Sequence, residues 1–287
     1  MSTETQSDYA RVSTLNHVMI MTKYAFLNYF RARRFYVMLA IVLLISGLLT
    51  FAIGYYRPAG ILLSVLGFYG AGWGSFSGFV VILSTAFFGG DAISSEFQNR
   101  TGYFLVPNPI RRSAIYVGKW LAALAASTIV LLVYAAIIIA NGIYYFGPTV
   151  PWEFLQSVAF AWIYLIAALS LAFAFSSLFK SSSISILMSV ILLLFVFNVV
   201  DTIFSTVIGI EPWFSITYGA GIVSNILTFP FPQHFSTASF GGPGGPGRFS
   251  ISTFNATVPE GLVIMAAYFV ISAALGLWLF ERKEFTS

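Results

Sequence analysis

The sequence predicts an all-α integral membrane protein. It has six transmembrane helices, an amino-terminal amphipathic interfacial helix, and both termini on the cytoplasmic side. Two observations lead there. Hydrophobic residues make up 58% of the 287-residue chain and charged residues only 8%. An ordinary soluble domain carries about 25% charged residues, so this composition cannot clothe a water-facing surface. The apolar residues also form six runs long enough to cross a bilayer, which takes roughly 20 residues of helix. The spans are expected at about 35–56, 67–88, 113–146, 153–179, 183–208 and 258–280.

The elements follow in order. Residues 1–13 are polar and are expected to form a disordered cytoplasmic tail. Over 14–34, Leu15, Val18, Met19, Thr22, Phe26, Tyr29 and Phe30 fall on one face at helical spacing, while Asn16, Lys23, Asn28, Arg31 and Arg34 lie largely away from it. Such a helix lies in the membrane interface or packs on protein in the cytoplasm. A signal peptide would begin within a few residues of the terminus and end in a small-residue cleavage site. The run 35–56 is therefore expected to be a retained helix, and 35–287 to be the transmembrane domain.

Orientation comes from the basic residues, because cytoplasmic loops are enriched in Lys and Arg. With the amino terminus inside, all of the 14 Lys and Arg residues except Arg57 and Arg248 face the cytoplasm. That distribution requires an even number of spans. The apolar stretch 212–229 is then not a seventh span. Its Pro212, Gly219 and Gly221 also interrupt it, and a re-entrant or interfacial hairpin packed on the protein is expected.

Two features inside the spans and three in or beside the last outer loop stand out. Gly70, Gly74 and Gly78 repeat every four residues and form a bare stripe for close helix approach, within the subunit or at a subunit contact. Asn198 and Asp201 share a face near the outer end of the fifth span. A carboxylate there is costly unless it faces water or a partner, so the pair either lines a substrate path or holds a loop. The long outer loop 209–257 contains the run 241–247, Gly-Gly-Pro-Gly-Gly-Pro-Gly, which lacks the Lys-Ser/Thr and helix start of a phosphate cradle. Asn255-Ala256-Thr257 is a candidate glycosylation sequon, and Thr257-Val258-Pro259-Glu260 reads as a capping box opening the last helix. There is no cysteine. His17 and His234 are far apart and give no metal-ligand spacing, so no metal is expected; the basic residues sit in short clusters between apolar spans and not as a groove, so no nucleic acid is expected either, and no cofactor is expected on this chain.

The segment richest in chemistry is the cytoplasmic loop 89–112. Asp91 is placed to cap a short helix. Ile93 and Phe97 are expected to project from one side with Glu96 between them, and Pro107 and Pro109 to end the helix. A surface helix showing two large apolar residues beside an acid is either a docking element or an ordinary turn.

The loop resembles that of the permease subunits of type-two ABC exporters, whose fold is also called the type V exporter fold. Their loop runs Ile, two residues, Glu, then Thr, Leu, a Pro followed closely by Arg, and Gly-Lys opening the third span. Ile93, Glu96, Thr101, Leu105, Pro109, Arg112, Gly118 and Lys119 match. Gly102 and Tyr103 depart from the usual Leu and acidic residue, and Pro107 from the usual Ser or Thr. The likeness extends to the whole layout. It implies that 89–112 is the coupling helix for an ABC ATP-binding subunit, with ATP and Mg held on that partner, since this chain has no Gly-x-x-x-x-Gly-Lys-Ser/Thr. It also implies a second permease subunit, in a homodimer or a related heterodimer, set in the cytoplasmic membrane. The cargo expected from aromatic, charge-poor spans is amphipathic or apolar. The competing readings are a non-transporting membrane scaffold or immunity-type protein, and an ATP-independent channel. Under the exporter reading, replacing Glu96 with Ala is expected to spare the fold and weaken coupling.

Overall fold

The computed structural model describes residues 14–98, 111–240 and 249–282. Six helical stretches are long and apolar enough to cross a membrane: Arg33–Tyr56, Val65–Gln98, Arg112–Phe146, Trp152–Leu178, Ser182–Ile208 and Val258–Arg282. An amino-terminal helix, Thr14–Arg31, precedes them. It is separated from the first span by Ala32, whose extended backbone (φ −76°, ψ 137°) lets the chain turn sharply. The tail 1–13 and the glycine-proline run 241–247 lie outside the described residues.

Burial sorts the spans. In the most apolar window of the second span 67% of residues are buried, and in the third and fourth 50%. The first span has 22%, and the fifth and sixth 17% each. Spans two, three and four therefore form the protein core, and the other three leave broad apolar faces outward. Helices in lipid gain little from hydrophobic burial against each other, so small residues and polar contacts hold them. A methyl group on Gly276 would lie 3.2 Å from the Ala174 Cα, so the sixth and fourth spans cross almost backbone to backbone. Trp73 Nε1 donates to Ser157 Oγ at 2.9 Å, joining the second and fourth spans.

Two spans are not plain α-helices. The second widens into a π-turn at Gly70–Gly74, and the Gly72 carbonyl accepts a 2.6 Å bond from the Tyr134 hydroxyl of the third span. The fifth contains π-segments at Leu192–Val196 and Ile203–Ile208. Asn198 Nδ2 donates to the carbonyls of Leu193 (3.3 Å) and Leu194 (3.0 Å). In both places a side chain adds a hydrogen bond to carbonyls of the wider turn, which suits backbone set in a bilayer.

The glycine stripe does something other than join two spans. Gly70 and Gly74 face the segment after the fifth span: a methyl on Gly74 would lie 3.4 Å from Ser224 Cβ, and one on Gly70 3.8 Å from Leu227 Cβ. Nothing lies within 4 Å of the corresponding position on Gly78. Gly74→Leu is therefore expected to cost about 1–3 kcal/mol through overpacking, and Gly78→Leu to be tolerated. Thermal melts of the two variants in detergent check this.

The stretch 212–229 folds as two short helices, Ile216–Ala220 and Ile222–Asn225. Ile216, Ile222, Val223 and Leu227 are buried, and the Val223 carbonyl accepts a hydrogen bond from Ser157. It is packed on the bundle. The rest of the connection between the fifth and sixth spans departs from the all-helical expectation. Phe235–Phe240 and Phe249–Phe254 form an antiparallel hairpin, with Phe235 opposite Phe254 and Phe240 opposite Phe249. Two short runs flanking a Gly/Pro-rich turn are a hairpin signal, and this was the signal available in the sequence. Asn255 follows the second strand, and its Nδ2 donates to the Gln233 carbonyl at 3.0 Å, so the nitrogen a glycan would use already anchors the hairpin. The Thr257 N–H donates to Glu260 Oε2 at 2.9 Å, the Glu half of the capping box.

Candidate functional site: the segment after the second span

After Gly89 the second span breaks into a turn and a short helix, Ser94–Gln98. The sequence pictured Ile93 and Phe97 projecting from this segment. In the structure Ile93 is wholly buried, and Phe97 is partly buried with its ring 6.5 Å from Phe280 of the sixth span. These side chains turn inward because the short helix lies on the bundle, so its apolar face meets spans. Asp91 was expected to cap the helix. Its carboxylate instead pairs with Arg34 at the start of the first span.

Backbone and charge contacts then fix the segment on all sides. Ser176 Oγ of the fourth span accepts the N–H groups of Ile93 (2.9 Å) and Ser94 (3.0 Å). Lys119 of the third span donates to the Ala92 carbonyl at 2.9 Å and forms an ion pair with Glu96. Gln98 Oε1 accepts from the Ser182 N–H at 2.8 Å, at the start of the fifth span. With Arg34 and Phe280, the residues of 91–98 touch spans one, three, four, five and six. Sequence reasoning had matched Gly118-Lys119 as a motif without saying what it does. The Lys is the clamp. The Gly lets the amino-terminal helix lie against the third span, since a methyl there would be 2.6 Å from Met21 Cβ and 3.1 Å from the Val18 carbonyl.

The amino-terminal helix closes over this arrangement. Tyr29 is buried, its hydroxyl donates to the Phe88 carbonyl at 2.8 Å, and the Arg34 guanidinium sits 4.8 Å from its ring centroid. Between this helix and the segment lies a cavity of about 230 Å³ lined by Tyr24, Asn28, Arg34, Ser95, Glu96 and Lys119, among others. Arg112 opens the third span, and its Nη1 donates to the Glu281 carbonyl at 2.8 Å, at the end of the sixth. Thr101, Leu105 and Pro109 lie outside the described residues.

The two polar residues of the fifth span separate in role. Asn198 lines a cavity of about 260 Å³ with Ser77, Gly78, Tyr164 and Thr217. Asp201 Oδ2 accepts a 2.5 Å bond from Thr217 Oγ1 and so holds the short helix Ile216–Ala220.

Six apolar helices, with a polar turn clamped at one end, define a multi-pass membrane protein. The family model of the ABC-2 family transporter proteins matches residues 15–285, and the chain belongs to that family. It is a transmembrane transport subunit of a family that normally works with an ATP-binding subunit. No curated protein matches the sequence.

Proposed function

We propose that this chain is the permease of an ATP-driven exporter, and that 89–112 is where a separate ATP-binding subunit, carrying ATP and Mg, docks and drives it. The observation that supports this is the connection of 91–98 to five of the other spans. A push on that segment is delivered to the whole bundle through Ser176, Lys119, Arg34, Ser182 and Phe280. With Ile93 buried, the docking surface consists of outward-facing residues of the loop, and Ile93 transmits force as part of the core. Glu96 acts through Lys119 as a positioning residue.

In this reading two permease subunits pair, using some of the apolar surface left open by the first, fifth and sixth spans, in the cytoplasmic membrane. The cargo is amphipathic or apolar, in keeping with the aromatic, charge-poor spans. The decisive experiment isolates the permease from its native membrane with any P-loop ATPase bound to it, reconstitutes the two, and measures hydrolysis and cargo movement for the parent and for Ser176→Ala. The variant is expected to keep the ATPase bound and to move less cargo per ATP hydrolysed. No ATPase captured, or cargo movement independent of ATP, would favour the channel or scaffold readings.

Orientation has its own test. The chain has no cysteine, so single cysteines can be introduced cleanly. Gly244→Cys is expected to react with an impermeant thiol reagent added outside intact cells, and Asn99→Cys only after permeabilisation. The reverse pattern would invert the protein.

A further inference from the structure

At the end of the bundle opposite the 89–98 segment, three chain segments bring ligand-type side chains together. Glu211 follows the fifth span, His234 precedes the first strand of the hairpin, and Glu260 sits in the first turn of the sixth span. One ligand atom from each lies within 4.8 Å of the others. We propose that Glu211, His234 and Glu260 form a binding site for a divalent transition-metal ion of the zinc class, which ties the ends of spans five and six through the hairpin.

The donor set suits such an ion, because imidazole nitrogen and carboxylate oxygen are ordinary zinc ligands. The spacing is close to what is needed. His234 Nε2 is 3.5 Å from Glu211 Oε2, and one ligand atom of Glu260 lies within 4.8 Å of those of the other two, so a small turn of the Glu260 side chain completes the set. Tetrahedral ligands at about 2.0–2.1 Å from zinc lie roughly 3.3 Å apart.

The surroundings hold the ligands. His234 Nδ1 is 3.0 Å from the Asn255 carbonyl oxygen. Donation there leaves the lone pair on Nε2, the tautomer that outer-sphere hydrogen bonds impose on metal-bound histidines. Glu211 Oε1 accepts a 2.7 Å bond from the Tyr218 hydroxyl. The backbone pairing of Asn255 N–H with the His234 carbonyl at 2.8 Å holds the hairpin base in place.

Charge points the same way. Two carboxylates share this site, and among the described residues His234 is the only cationic partner either has. A proton on His234 would neutralise one of the two negative charges, whereas a divalent ion neutralises both. The side chains are 26% (Glu211), 41% (His234) and 42% (Glu260) exposed, so an ion can enter from solvent.

The site does not depend on the transport reading, and neither does its test. The full chain, free of any affinity tag, is placed in lipid nanodiscs, stripped with a chelator, dialysed and titrated calorimetrically with Zn²⁺. One ion per chain is expected, with a rise in melting temperature on binding. Glu211→Gln and His234→Ala should each weaken binding at least about tenfold, the lower end of what loss of even an outer-sphere partner costs. Glu260→Gln should do so too while keeping an acceptor for the Thr257 N–H, which separates ligand loss from loss of the helix cap. Co²⁺ in place of Zn²⁺ should give visible d–d absorption that the variants lose. Absence of saturable binding, or binding that all three variants retain, would overturn the proposal. So would a melting temperature that responds to acidification and not to zinc, which would make the cluster a protonated-histidine clamp.

Discussion

Glu96→Ala should destabilise the protein by about 3 kcal/mol, the usual scale for removing one partner of a buried ion pair. This reverses the outcome expected from sequence, where Glu96 was read as a surface acid. Lys119 is only 9% exposed. Without Glu96 its ammonium keeps the Ala92 carbonyl and loses the opposite charge that offsets its desolvation. A detergent melt should show a drop of several degrees. Adding Lys119→Met to Glu96→Ala should restore much of that stability, because an apolar replacement of a buried pair is often neutral. Transport should stay impaired in the double variant, since the Lys119 bond to the segment backbone is gone. A single variant that melts like the parent would show that the pair does not hold the segment.

Gly118→Leu should detach the amino-terminal helix. Even a methyl at this position meets Met21 Cβ and the Val18 carbonyl at 2.6 Å and 3.1 Å, and a backbone carbonyl in a helix cannot step aside. An overpacking cost of about 2 kcal/mol raises the detached population roughly thirtyfold. Limited trypsin digestion reports it directly, through faster cleavage at Lys23 and Arg31. Gly47→Leu adds the same bulk to the first span where nothing lies within 4 Å, and it should leave the cleavage rate unchanged. Equal digestion of both variants would mean that the helix does not rest on the third span.

How much was legible varies with the kind of signal. The six apolar helices were readable because run length against bilayer thickness is a one-dimensional property. The family loop was readable because Ile93, Glu96, Gly118 and Lys119 stand at recognisable spacings. The direction in which Ile93 points was not, because a short amphipathic helix can turn its apolar side to a partner or to its own bundle, and only the packing decides. The hairpin was not legible, although its two strands flank the Gly/Pro-rich sequence 241–247, because such a run connects paired strands and unpaired segments equally well.

By itself the sequence determined that this chain is a six-span membrane protein of the transporter kind, with one polar loop carrying the family's residues. Hydrophobic length and local motif spacing are written along the chain and need no folding to be read. Only the tertiary structure decided what those residues touch. It set Glu96 against Lys119, Asp91 against Arg34, two stripe glycines against Ser224 and Leu227, and His234 between Glu211 and Glu260. Each of these joins residues from different segments, and contacts of that kind are fixed by how helices pack, because no periodicity within one segment encodes the position of another.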